Sequence, residues 1–228
     1  MPVIQRITFP VSDAFSSNPN IFKAATDIVK TSAGYISSFH GLQIEDKKTG
    51  YFVTVWQSSV PFNAFAEGTT YASFMDTLQQ AASGDVESHY VDVDAADPSI
   101  PLSAPITEFV RFTVKEGIQS GDTYDLFERL TRGLDTADGA HPPSYWGSSR
   151  NSPGNHILVY VGWDTVEAHW EAVKEGNGIA RHSAGTAQAG RRSYRPCAAR
   201  ESSLSSKIQK NEDESGKQKA AKDLMTEK

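Results

Sequence analysis

The strongest pattern in the chain is an apolar run that ends in tryptophan and occurs twice. The run from Tyr51 to Trp56 is followed by a serine-rich turn and then by an amphipathic segment. The same order returns 107 residues later, where the run from Leu158 to Trp163 precedes Asp164 and a second amphipathic segment. Short apolar runs favour buried strands, and self-similarity at a fixed spacing is typical of a repeat. We therefore predict two copies of one structural unit.

The first copy alternates strands and helices in the order β-α-β-β-α-β. Residues 3–11, 35–44, 51–56 and 86–93 are the predicted strands, and the predicted helices begin near Ile21 and after Ser58. Period-two alternation indicates a strand, whereas apolar residues three and four positions apart indicate a helix. The order is that of the split βαβ unit of the ferredoxin-like fold.

The second copy repeats this order with slightly longer loops. Its first strand carries Phe109 and Phe112, its first helix carries Phe127, and Trp146 lies on its second strand. Its last strand is poorly marked, and residues 192–198 are the candidate. The predicted organisation is a first repeat at 1–95, a proline-rich linker at 96–105, a second repeat at 106–198 and a tail at 199–228. The tail is rich in charge and poor in large apolar residues, which favours disorder.

The pattern also predicts how the copies associate. A four-stranded sheet with helices on one face leaves its other face to be covered. Both third strands are almost continuously apolar, as strands buried on two faces are. The predicted fold class is therefore α+β, with two tandem ferredoxin-like (βαββαβ) repeats forming an intramolecular dimeric α/β barrel.

Composition narrows the function classes. The formal net charge is −6 and no basic stripe is present, which argues against nucleic acid as a partner. One cysteine excludes an intrachain disulfide, and no apolar run approaches the roughly 20 residues that span a bilayer. The N-terminal residues lack the apolar region of a secretory signal. These features predict a cytoplasmic protein that does not associate with membranes.

Each copy has an apolar strand that ends in tryptophan, then a short polar turn, then a helix interrupted by glycine. This order resembles the dimeric α/β-barrel superfamily. The chain is most similar to the antibiotic biosynthesis monooxygenase (ABM) group, in the tandem-repeat form found in fungi. The resemblance implies a small enzyme of secondary metabolism that needs no cofactor and oxidises an aromatic, polyketide-type substrate. Polyketide cyclases, haem-degrading enzymes and members without known activity share the fold, so the family alone leaves the reaction open.

Two histidines in the second half are the candidate catalytic residues, His169 and His182. A histidine with a pKa near neutrality can act as general base on a phenolic substrate. The equivalent positions of the first half hold Phe62 and Met75, which predicts that any catalysis belongs to the second half. The alternative is that both histidines pack on a helix surface. No spacing typical of a metal site occurs, so we expect neither a metal nor another cofactor.

Aromatic residues of the second half are the candidate substrate-binding group, because aromatic side chains line cavities for flat ligands. They are Tyr145, Trp146, Tyr160, Trp163 and Trp170. Packing in the core explains them equally well, and for Trp163 and its counterpart Trp56 it is the favoured interpretation.

The sequence therefore supports two hypotheses of function. The first is a cofactor-independent monooxygenase, or a cyclase of the same fold, that acts on a small aromatic molecule. The second is a non-catalytic barrel that binds a ligand or responds to stress. Either a monomer built as a pseudo-dimer or a homodimer would fit.

Overall fold

The computed structural model describes residues 1–18, 20–114, 120–151, 156–174 and 200–210, with the backbone alone in 120–123 and 200–210. The strands are β1 Val3–Pro10, β2 Tyr35–Gln43, β3 Thr49–Trp56, β4 Glu87–Asp92, β5 Ile106–Thr113, β6 Ala140–Ser148, β7 His156–Trp163 and β8 Arg200–Lys210. The helices are α1 Asp13–Ser17, α2 Lys23–Lys30, α3 Ser59–Ala66, α4 Thr69–Gln79, α5 Ser99–Leu102, α6 Ser120–Leu134 and α7 Val166–Val173.

All eight strands belong to one antiparallel sheet in the order β4-β1-β3-β2-β8-β5-β7-β6. The first four strands have the same spatial order as the last four, with β8 in the place of β4. The two edge strands approach each other at an antiparallel bridge between Val91 and Ser149. Next to it, the Arg150 amide donates a hydrogen bond of 2.9 Å to the Tyr90 carbonyl oxygen. The sheet therefore curves until its edges meet.

The two strand-end tryptophans occupy equivalent places. Trp56 ends β3 and pairs with Val3, the first residue of β1. Trp163 ends β7 and pairs with Ile106, the first residue of β5. Both indoles are fully buried, on the side of the sheet that the helices cover. Because the side chains of a strand alternate between faces, this match fixes which residues of each half face the helices.

Both faces of the sheet are buried, as the continuous apolar pattern of the third strands predicts. On β7, Val159 and Val161 pack under the helices of the second half, in the same cluster as Trp163. The residues that alternate with them, Leu158 and Tyr160, face inward. That interior cluster combines side chains from both halves, so the two inner sheet surfaces share one core.

The predicted linker contains structure of its own. Residues 99–102 form α5, in which Pro101 and Leu102 are buried. Leu102 belongs to the interior cluster, and the Pro101 carbonyl oxygen accepts a hydrogen bond of 2.9 Å from the Thr107 hydroxyl. The segment therefore contributes to the interior core of the barrel as well as connecting the halves.

The prediction for the end of the chain is wrong in one respect. Residues 200–210, which we assigned to a disordered tail, form β8, between β2 and β5. The hydrogen bonds of this strand are made by its backbone, so pairing on both sides compensates for few large apolar side chains. The candidate last strand at 192–198, and residues 211–228, lie outside the described residues.

Gly147 allows the edge strands β4 and β6 to meet, because a methyl group there would lie 2.6 Å from the Asp92 carbonyl oxygen. That oxygen is backbone and cannot move aside. We expect Gly147→Ala to lower the free energy of unfolding by about 1–3 kcal/mol through overpacking. Urea denaturation measures the change.

Gly84→Ala is the control, because its added methyl would meet only the Pro10 ring, at 3.0 Å. An equal loss of stability in both glycine variants would show that close approach at the β4–β6 junction is not the cause.

Candidate functional site

A buried polar group lies under α7 in the second half. The Trp163 indole Nε1 donates a hydrogen bond of 3.1 Å to Oε2 of Glu108. His169 Nε2 lies 3.1 Å from the other oxygen, Oε1. The exposed fractions are 2% for Glu108, 0% for Trp163 and 1% for His169. A charge-assisted hydrogen bond is strong when water is excluded, so this arrangement holds the imidazole in a fixed orientation.

The register of β5 explains why a carboxylate points into this core. Phe109 faces the interior of the barrel, whereas Val110 packs under the helices. Glu108 is two residues from Val110 and therefore lies on the helix side, next to Trp163 of the paired strand β7. The helix-side face of the second half thus carries one acidic group among apolar neighbours.

The start of α7 places the histidine. Thr165 is the N-cap residue, and its hydroxyl oxygen accepts a hydrogen bond of 3.1 Å from the Ala168 amide. Asp164, the residue before Thr165, pairs with His141 Nε2 at 2.7 Å. His169 therefore lies one turn into the helix, on the side that faces the sheet.

The hydrogen bonds define which nitrogen of the imidazole can accept a proton. With Glu108 ionised, both of its oxygens accept, so Nε2 of His169 carries the hydrogen. The lone pair of the neutral ring is then on Nδ1, which is buried and has no hydrogen-bond partner among the described residues. In a general base, a carboxylate typically orients the histidine through one ring nitrogen and the other nitrogen has a free lone pair.

The first half has a neutral group at the equivalent place. Gln5 replaces the glutamate, and Thr54 Oγ1 lies 2.8 Å from Trp56 Nε1 and 3.2 Å from Gln5 Oε1. The Gln5 amide donates to Ser88 Oγ at 3.1 Å. Phe62 occupies the position of His169, six residues after the tryptophan. This half therefore has no histidine at the position of His169.

The structure brings together three of the predicted site residues. Trp163 and His169 have ring centroids 5.7 Å apart, and those of His169 and Trp170 are 4.8 Å apart. The Trp170 side chain is 54% exposed, so it borders the group from the solvent side. His182, the other predicted catalytic residue, lies outside the described residues.

The other predicted aromatic residues lie elsewhere. Tyr145 and Tyr160 face the barrel interior, with ring centroids 5.1 Å apart, on the opposite face of the sheet from Trp163. Trp146 packs beside Phe127 on the helix side, with centroids 5.4 Å apart. The five aromatic residues therefore do not line one cavity together in the described part of the chain.

Glu108 is the site residue that the sequence analysis did not identify. Its signal was available, because Glu108 interrupts a strand at a position two residues from the apolar Ile106 and Val110. A charged residue in the buried register of a strand needs a partner. The sequence did not show how α7 packs on the sheet, and it is this packing that brings His169 to Glu108.

The described residues contain no group of three or more histidine, cysteine, aspartate or glutamate side chains placed to hold a metal ion. Within the same residues, no helix is long and apolar enough to cross a membrane.

No protein-family model matches the chain, and no curated protein sequence matches it either. Solved structures do. A candidate monooxygenase of Fusobacterium nucleatum aligns over 92% of this chain and 94% of its own, with a TM-score of 0.65 and 14% identity. An anthrone oxidase-like protein aligns over 92% of both chains, with a TM-score of 0.64 and 15% identity. A candidate chlorite dismutase aligns over 92% of this chain and 95% of its own, with a TM-score of 0.55 and 10% identity.

These alignments define the class of fold. The structural neighbours are monooxygenase-like and chlorite dismutase-like folds of the dimeric α/β-barrel type, and the chain shares their mixed α+β architecture with antiparallel strands. At such low identities the likeness is one of fold, and the reaction has to be inferred from the site.

Proposed function

We propose that the chain is a cofactor-independent monooxygenase of the ABM type that oxidises an electron-rich aromatic molecule, with His169 as general base. The observation that carries the proposal is the pairing of His169 Nε2 with the buried Glu108, which leaves Nδ1 to accept a proton. The fold similarity to candidate monooxygenases and to an anthrone oxidase-like protein supports the reaction class.

The chemistry requires little beyond a base and exclusion of water. Nδ1 takes an acidic proton from the substrate, and the resulting carbanion or phenolate is electron-rich enough to react with O₂ itself. For an anthrone, the methylene carbon loses two hydrogens and becomes a carbonyl. One oxygen atom enters the product and the other leaves as water, so no external reductant is needed.

The two halves have different tasks in this proposal. They are tandem copies of one unit that close into a barrel within one chain, which makes a monomeric pseudo-dimer sufficient. The first half, with Phe62 and Gln5 in place of the base and its carboxylate, serves as the structural partner. His182 stays a prediction for a second catalytic group, and Trp163 and Trp170 border the substrate. An aromatic polyketide of secondary metabolism is the substrate class that the family resemblance suggests.

Burial of His169 favours a second candidate, a barrel that binds a ligand without turnover. A base that is 1% exposed needs an opening before substrate can reach it. In a binding protein the same Glu108–His169 pair would simply stabilise the core.

Anthrone is the test substrate, with O₂ consumption and anthraquinone absorbance as the measurements. We expect His169→Gln to lower kcat by about 10²–10⁴-fold, since glutamine offers an amide N–H to Glu108 but no base. His141→Gln is the matched control, because this partly exposed histidine pairs with Asp164 outside the site. Thermal denaturation of both variants is the check that each one folds.

Each outcome bears on a different part of the proposal. Wild-type turnover by the His169→Gln variant would exclude His169 as the base. Binding of anthrone by the wild type without O₂ consumption would exclude the monooxygenase and support the ligand-binding barrel.

A further inference from the structure

The interior of the barrel contains a buried cation on β1. Arg6 alternates with Ile7, which packs under the helices, and so shares the inner face with Ile4. In the register of the sheet it lies opposite His89 of the neighbouring strand β4. Only 5% of the Arg6 surface is exposed. A guanidinium is always charged, so the first half brings a full positive charge into the barrel interior.

Arg6 has no compensating negative charge among the described residues. Its Nε is buried without a hydrogen-bond partner, and its Cζ lies 5.9 Å from the Phe109 ring centroid. The adjacent carboxylate, Glu87, is already engaged by Arg111 at 2.7 Å and by His89 at 2.9 Å. A cation–π contact offsets only part of the cost of burying a charge. Among the side chains that the structure describes, the charge therefore lacks a counter-ion.

Two other polar atoms on the inner face are unsatisfied. The Tyr160 hydroxyl and His156 Nδ1 are buried and have no hydrogen-bond partner within the described ranges. Tyr160 packs on Phe109, which links it to Arg6, with ring centroids 5.7 Å apart. His156 lies beside His89, the residue paired with Arg6. Buried polar groups are normally satisfied, so three unpaired groups in one region are available to a polar ligand.

The local electrostatics also favour an anion. Burial lowers the pKa of His89, the hydrogen bond to Glu87 opposes this shift, and the charge of Arg6 adds to it. Burial raises the pKa of Tyr160 to about 12, so its hydroxyl stays protonated and can donate. The inner face near Arg6 therefore presents two kinds of donor, the guanidinium and the Tyr160 hydroxyl.

We propose that the barrel interior binds a small molecule bearing a carboxylate, held by the Arg6 guanidinium and the Tyr160 hydroxyl. A carboxylate has two oxygens that can accept from these donors, and its charge would balance the arginine. The interior side chains of this region are apolar and aromatic, among them Tyr51, Phe109 and Tyr145. Such surroundings suit an aromatic acid. The site lies on the opposite face of the sheet from His169 and does not depend on its proposed role.

Benzoate is the probe, and benzamide is its neutral counterpart of nearly the same shape. We expect benzoate, at up to about 10 mM, to bind the full chain in isothermal titration calorimetry and to raise Tm, with benzamide about tenfold weaker or worse. Arg6→Met should abolish benzoate binding. Because the arginine has no counter-ion within the described ranges, the ligand-free Tm of this variant should equal or exceed that of the wild type.

Two controls separate this site from other effects. His169→Gln should bind benzoate as the wild type does, so a failure of the proposed reaction leaves this test intact. Lys23→Met, which removes an exposed cation that pairs with Asp27, should also bind normally.

Two results would overturn the proposal. One is the absence of benzoate binding by the wild type. The other is a large fall of Tm in ligand-free Arg6→Met that Glu201→Gln reproduces and that does not increase in the double variant. That pattern would show that Glu201, in register with Arg111 on β5, is the counter-ion of Arg6 within the chain.

Discussion

Glu108→Leu is expected to lower the free energy of unfolding by about 3–5 kcal/mol, because it removes the acceptor that two buried donors share, at about 1–3 kcal/mol for each donor. The substitution leaves the His169 Nε2–H and the Trp163 indole N–H without an acceptor in a core that excludes water. The gain in apolar volume does not compensate for two unsatisfied donors. Urea denaturation of the variant and the wild type, with equal m-values, measures the difference.

The first half supplies a matched control for this result. Gln5 occupies the place of Glu108 and is also fully buried, but its partners Thr54, Tyr71 and Ser88 are neutral, and Tyr71 and Ser88 are partly exposed. Gln5→Leu should therefore cost less, about 1–2 kcal/mol. Equal losses in the two leucine variants would show that the charge of Glu108 contributes nothing beyond an ordinary hydrogen bond.

A third variant tests whether the neutral residues of the first half can replace Glu108 and its partners in the second half. The triple variant Glu108→Gln, Val161→Thr, His169→Phe places in the second half the residue types found at the equivalent positions of the first. We expect it to recover more than half of the stability that Glu108→Leu loses, because threonine at 161 can accept from the Trp163 indole and phenylalanine at 169 leaves no imidazole N–H unpaired. Recovery without turnover of anthrone would separate the structural role of this position from its proposed chemical one.

The strand order was predictable from the sequence where side chains define it. The apolar runs that end in Trp56 and Trp163 fixed both third strands, and period-two alternation then placed the neighbouring strands. β8 was not predictable in this way, because its place in the sheet is defined by backbone pairing with β2 and β5. Such pairing leaves no apolar pattern along the strand, and the charge of the segment suggested disorder instead.

The candidate site was predictable only in part, for a similar reason. His169 was found from its asymmetry with Phe62, a comparison within one chain. Its partner Glu108 is 61 residues away, and their contact depends on how α7 docks on the sheet. Tyr160 shows the opposite error. It lies near Trp163 in sequence, but an offset of three residues on a strand puts the two on different faces.

Trp163→Ala and Trp56→Ala are each expected to lower the free energy of unfolding by about 3–5 kcal/mol, the usual cost of truncating a buried tryptophan. Both indoles are fully buried at equivalent strand ends, so the cavity left behind is similar in the two halves. Phenylalanine at the same positions keeps most of the apolar volume and removes the indole N–H. The phenylalanine pair therefore isolates the hydrogen bond from the packing.

The two phenylalanine variants should differ in stability, because the acceptors differ. Trp56→Phe removes a bond to the Thr54 hydroxyl and should cost about 1 kcal/mol for that bond. Trp163→Phe leaves Oε2 of the buried Glu108 without this donor and should cost about 1.5–3 kcal/mol. Equal effects in urea denaturation would mean that Glu108 is satisfied by other donors when the indole is removed. A larger effect at Trp163 would establish that this tryptophan, in addition to anchoring the core, holds the carboxylate that orients His169.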